Sequence, residues 1–173
     1  SVSGDGQGET LAFLKKDYSL AQKFFREAAR RASETTAENA LFNENLAALN
    51  ANDASGAAAL IKEASGSSRL RESILFEQAH YAAKRMAPQA AELLANFITL
   101  AETPALKTQA RLDQVEVALN LNPPDLETVQ AILPLLEKEQ LSPEQTMQLA
   151  RLNILEAESR QTGVSGRKRR LVL

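Results

Sequence analysis

This sequence predicts an all-α chain of antiparallel helical hairpins, and three observations predict it. The apolar residues, 44% of a 173-residue chain, recur at helical spacing, and with few aromatics and no Trp the core must be mostly Ala and Leu. Such small side chains suit close helix packing better than a sheet. Glycine and proline are sparse, and most prolines stand where helices should begin. Finally, one segment repeats. Asp17 caps a helix whose apolar stripe is Tyr18, Ala21, Phe24, Phe25 and Ala28, and the same skeleton returns 36 residues later as Asp53, Ala57, Leu60, Ile61 and Ala64. A period of this length reads as stacked helical pairs, about four in a chain of this size.

In chain order, residues 1–8 are small, polar and Gly-rich and read as a flexible leader. Their G-x-G-x-G spacing lacks the preceding strand and the lysine of a phosphate loop. Residues 9–15 read as the end of a first helix, running into the Asp17 cap. The helix after it spans about 18–32. Thr35 and Glu38 have the spacing of a capping box, and the helix they open, about 36–51, carries Leu41, Phe42, Leu46 and Leu49. Asp53 opens the next, about 54–65, and Ser65-Gly66-Ser67-Ser68 is the clearest loop. Leu70, Ile74, Leu75, Ala79 and Ala82 mark a helix over about 69–86, and Pro88 opens one over about 88–101 with Ala90, Leu93, Leu94 and Phe97. Thr103-Pro104 starts a helix reaching about 120, and Asn122-Pro123-Pro124-Asp125 stops it and starts another over about 124–139. Pro134 should kink or shorten that helix, since it removes a backbone donor. Ser142-Pro143 caps a last helix, about 143–160, with Leu149, Leu152, Ile154 and Leu155. Gly163 should end it, leaving residues 163–173 as a basic tail. The repeat domain is then 9–162, and its short connections make neighbouring helices antiparallel.

The segment D17-Y18-x-x-A21-x-x-F24-F25-x-x-A28 resembles the second half of a tetratricopeptide repeat. Residues 53–64 are a degenerate copy, and Ala90, Leu93, Leu94 and Phe97 a poorer one. Lys16 stands where the family usually has Gly, and in the first helices Phe42, Leu46 and Leu49 supply only the apolar positions. The resemblance covers about 10–160 and implies a right-handed superhelical solenoid of stacked hairpins. Small residues such as Ala21, Ala57 and Ala90 would let adjacent helices approach closely, with Phe24, Leu60 and Leu93 filling the layers between.

Composition and motifs narrow the function classes. A net charge of −2 argues against a nucleic-acid surface over the body of the protein. With no cysteine, thiol chemistry and thiolate metal sites are excluded, while cytoplasm and periplasm both remain compatible. No apolar run is long enough to span a bilayer. Glu77 and His80 have the E-x-x-H spacing of di-iron bundles, but a second histidine does not exist in the chain. Ser165-Gly166-Arg167-Lys168 is formally S-x-x-K without its companion motifs. We therefore expect no catalytic site, no metal and no cofactor. Arg167, Lys168, Arg169 and Arg170 could contact an anionic surface weakly, but a solvated terminus explains them better, since four charges without aromatics make a weak site.

In stacked hairpins the first helices line a concave groove, as the resemblance also implies. The residues expected there are Asn43, Asn50, Phe76, His80, Lys84, Asp113 and Asn120, against the plainer reading in which Phe76 is core and the polar residues are a wet face. The basic grip on a peptide carboxylate in chaperone-binding members of the family would need Lys or Arg at several of these places, and only Lys84 qualifies. The expected function is a non-catalytic scaffold that binds a peptide or a partner subunit in that groove. The alternative is a structural subdomain whose groove is filled by its own longer chain, and a closed bundle that holds a ligand ranks third. The partner is a protein or peptide, with a second copy or the remainder of a longer chain among the candidates. The partial first hairpin suggests a chain cut from a longer array, and it leaves Tyr18, Phe24 and Phe25 as an expected docking edge.

Overall fold

The computed structural model describes residues 16–31, 34–64 and 67–172, with the side chains of 28–31, 34–36 and 163–172 left out of the description. Among these residues there are eight helices and no strand: α1 (Tyr18–Arg31), α2 (Glu34–Asn50), α3 (Ala54–Glu63), α4 (Ser68–Lys84), α5 (Ala90–Leu100), α6 (Pro104–Asn120), α7 (Leu126–Leu136) and α8 (Pro143–Val172). The chain is therefore all-α, as its periodicity predicts. It divides into two compact units, the first running to Gln78 and the second starting at Ala79. The leader 1–8 and the partial helix 9–15 lie outside the described residues.

The first unit holds α1 to α3 and the first part of α4. Asp17 caps α1, its Oδ1 accepting from the Leu20 amide at 3.3 Å. Ala21 and Phe25 are buried against Ala47 of α2, with Phe24 half-buried beside them. Asp53 caps α3 in the same way, Oδ1 accepting from the Gly56 amide at 2.9 Å. Between them α2 ends in a left-handed Asn52 (φ 58°), with Asp53 N–H donating to Ala48 O and Asn52 N–H to Leu49 O, a Schellman closure.

The burial of α2 differs from its apolar pattern. Leu41, Phe42, Leu46 and Leu49 are half-buried, whereas Ala40, Glu44, Asn45, Ala47 and Ala48 are buried. Leu41 and Phe42 pack on Ala64, Leu70 and Ile74, so α2 is covered on more than one face. The small alanines mark where its neighbours come closest. Each buried polar residue on that face has a partner from another helix. Arg26 of α1 donates Nε–H to Glu44 Oε1 at 2.8 Å and reaches Glu63 Oε1 of α3 at 3.1 Å. Gln78 of α4 donates Nε2–H to Asn45 Oδ1 at 3.0 Å and to the Ala57 carbonyl at 2.8 Å.

In the second unit α6 is the central helix, packing against α5, α7 and α8. Leu112, Val115, Ala118 and Leu119 of α6 form one core with Val129, Leu133 and Leu136 of α7 and Leu149 and Leu152 of α8. Asp125 caps α7 by accepting from the Thr128 amide at 3.1 Å and its hydroxyl at 2.6 Å. Pro134 lies inside α7, which stops two residues beyond it at Leu136 rather than near 139. Ser142 and Gln145 open α8 with a reciprocal capping box, both bonds at 3.1 Å. Gly163 does not stop α8, which continues to Val172. Helix α5 starts at Ala90 instead of Pro88, and α2 starts at Glu34, one residue ahead of the expected cap Thr35, whose side chain is not described.

Candidate functional site

Within the second unit, three helices line a cleft of about 580 Å³. The last turns of α4 contribute His80, Ala83 and Lys84, at spacings that share one helix face. Gln109, Asp113 and Glu116 stand in a row along α6 for the same reason, and Met147, Gln148 and Arg151 along α8. Met86 completes the lining from the turn after α4. That turn is a second Schellman closure, with Ala87 N–H donating to Ala82 O and Met86 N–H to Ala83 O. It holds Met86 in the left-handed region (φ 50°), which a residue with a Cβ enters only at a cost.

The polar side chains of the cleft form one continuous network. His80 Nδ1 lies 2.5 Å from Asp113 Oδ2. A carboxylate only accepts, so the imidazole donates from Nδ1 and its tautomer is set. Asp113 is buried, and its Oδ1 accepts from Gln109 Nε2 at 3.1 Å and, at the limit of hydrogen bonding, from Gln148 Nε2 at 3.5 Å. Gln109 also donates to Gln148 Oε1 at 2.9 Å and accepts from Gln145 Nε2 at 3.3 Å. Gln148 donates to Glu116 Oε2 at 3.0 Å, and Arg151 donates to Glu116 Oε1 at 2.6 Å.

Arg151 and Glu116 thus neutralise one another, while Asp113 is held by the His80 imidazole and the two glutamines. Lys84 is exposed and forms no ion pair among the described residues. Met86 (45% exposed) and Met147 (75% exposed) add soft, adaptable apolar surface at the rim. Among the described residues no group of three or more His, Asp or Glu side chains is arranged to hold a metal ion. The lining contains no serine, threonine or cysteine to act as a nucleophile beside His80.

The structure brings three of the seven expected groove residues together: His80, Lys84 and Asp113. Asn120 is exposed off the cleft, donating to the Glu116 carbonyl at 2.8 Å. Asn43, Asn50 and Phe76 belong to the first unit. Phe76 is buried there, as the core reading of that residue has it, and Asn50 is half-buried and donates to the Leu46 carbonyl at 2.8 Å. Of the expected docking edge, Phe25 is interior, while Tyr18 and Phe24 are half-buried. The side chains of Arg167, Lys168, Arg169 and Arg170 lie outside the described residues. Gln109, Glu116, Gln148, Arg151 and both methionines were not expected at the site. Their signal was available as polar residues repeating at i, i+4, i+7 on α6 and i, i+3, i+6 from Gln145 on α8.

No protein-family model, no curated protein and no solved structure matches the chain. The likeness to tetratricopeptide repeats rests on residues 17–28 and their echoes alone. No described helix is long and apolar enough to cross a membrane.

Proposed function

We propose that the protein is a non-catalytic interaction module that takes a peptide or a partner subunit into the cleft between α4, α6 and α8. The observation that carries this reading is the pairing of a satisfied polar network with exposed methionines. The network around Asp113 holds its side chains in place before any ligand arrives, which lowers the ordering cost of binding. Met86 and Met147 supply surface that can adapt to an apolar side chain. The absence of a nucleophile beside the His80–Asp113 pair favours recognition over catalysis. The finer architecture in this reading is a short tetratricopeptide-like stack of hairpins, which small-angle scattering would report as an elongated, curved particle; a near-spherical profile would count against it.

The binding test uses exposed residues, because Phe76 and Asp113 are buried and their replacement would disturb folding. A photo-crosslinking amino acid at Met147 is expected to trap a discrete partner in the protein's own host. Lys84→Glu should reduce that adduct at least fivefold while leaving the circular dichroism and melting temperature unchanged. An adduct indifferent to Lys84→Glu, or none at all, refutes the cleft as the binding site.

A further inference from the structure

The chain has two methionines, one histidine and no cysteine, so Met86, Met147 and His80 are its whole supply of sulfur and imidazole ligands. All three line the cleft of the second unit, His80 from α4, Met86 from the turn after it and Met147 from α8. Neither methionine is spent on packing. Met86 is 45% exposed and Met147 75%, and the core of the second unit contains neither. A methionine is ordinarily drawn inside, where its flexible stem fills gaps. Met86 is moreover held at φ 50°, in a helix-closing position that glycine occupies without strain. Backbone strain of this kind collects at ligand clamps.

The histidine is arranged as a metal-binding imidazole is. Its Nδ1–H donates to Asp113 Oδ2 at 2.5 Å, and buried Asp113 is held in turn by Gln109 and Gln148. A carboxylate on one ring nitrogen fixes the tautomer, orients the ring and raises the basicity of the other nitrogen toward a metal. In the neutral ring that other nitrogen is Nε2, which keeps its lone pair. We propose that Met86 Sδ, Met147 Sδ and His80 Nε2 together bind one copper(I) ion. Two thioethers and an imidazole are a soft donor set, which suits copper(I) and not magnesium or calcium. Zinc would need further imidazole or carboxylate ligands, and no such group is assembled among the described residues. The carboxylates of the cleft are already engaged, Asp113 by His80 and the glutamines and Glu116 by Gln148 and Arg151. A single positive charge also suits a cleft that Lys84 and Arg151 share. Both sulfur arms are unbranched and exposed, so they swing onto an ion without disturbing the core.

Copper(I) alone tests this site, independently of whether a peptide enters the cleft. Under anaerobic, reducing conditions the full chain should withhold one equivalent from a weak colorimetric copper(I) chelator. Met86→Leu and Met147→Leu, each close in volume and outside the core, should each weaken that hold about tenfold or more, with circular dichroism and melting temperature unchanged. Silver(I), a redox-inert stand-in, gives a second readout that needs no variant. With isotope-labelled methionine methyls the chain has only two signals to follow. Both should move together on adding silver(I) and stop at one equivalent, with the His80 ring signals moving alongside; zinc should move neither methyl. A chain that leaves copper(I) to the chelator overturns the proposal. So does a silver(I) titration in which one methyl stays still or the two saturate separately, since the sulfurs then share no ion. Leucine variants that hold copper(I) as tightly as the native chain overturn it as well.

Discussion

Glu44 is a carboxylate with no exposed surface, which a helical core tolerates only when its charge is answered. Arg26 answers it, and the hydrogen bond it donates to Glu44 in turn holds the Arg26 guanidinium above its ordinary pKa. Removing Arg26 strands the buried charge. Arg26→Ala is expected to destabilise the protein by about 2–3 kcal/mol in urea unfolding, and the double variant Arg26→Ala, Glu44→Leu should recover most of that loss. Met86 is a residue-scale cost of the opposite kind. Its left-handed backbone is strained for any residue with a Cβ, so Met86→Gly should stabilise by about 0.5–1 kcal/mol in thermal melts. The same change removes apolar surface from the rim, so on the proposed reading it gains stability and loses binding. At this scale the sequence was least legible. His80 and Asp113 are 33 residues apart, and neither carries a local mark that it will meet the other.

At the scale of elements, the caps were legible because capping is local chemistry. Asp17, Asp53, Asp125 and Ser142 each bond an amide three residues on, as their spacing predicts. Asp53 has its carboxyl pKa lowered, first by the Gly56 amide and then by Gln22. Asp125 is lowered first by the Thr128 hydroxyl and then by the Thr128 amide. A group whose folded pKa lies below its unfolded value adds stability that is full above the unfolded value, near pH 4, and is lost as pH falls through the folded one. Melting temperature should therefore drop between about pH 4 and pH 2. The double variant Asp53→Asn, Asp125→Asn, which keeps both caps without the charge, should flatten that drop. An unchanged slope would rule out these two carboxylates as its source. One element-scale expectation failed for a physical reason. Gly163 was read as a stop, yet no described glycine has a positive φ, and a glycine in right-handed helix costs only about 1 kcal/mol. The leucines of α2 are only half-buried, because α1 lies against its alanines and other helices cover the leucines in part.

At the scale of the molecule, the boundary between the two units falls inside α4, after Gln78. Gln78 closes the polar core of the first unit, and His80, two residues on, closes that of the second. A fragment of residues 67–172 keeps α4 whole and is expected to melt cooperatively. A fragment starting at residue 87 leaves buried Asp113 without its imidazole and should melt lower by about 5–10 °C. Equal melting of the two fragments by circular dichroism would show that His80 contributes nothing to the second unit.

The sequence by itself determined that this chain is helical, where most of its helices begin, and that Asp17–Ala28 and its echoes share one design. Those features rest on side chains within one or two turns of each other, through caps, proline positions and apolar periodicity. Only the tertiary structure decided that Gln109 meets Gln148 across 39 residues and that Phe76 is interior. Such contacts depend on how helices rotate and pack against one another. Interactions summed over whole faces set that rotation, and no short stretch of sequence carries it.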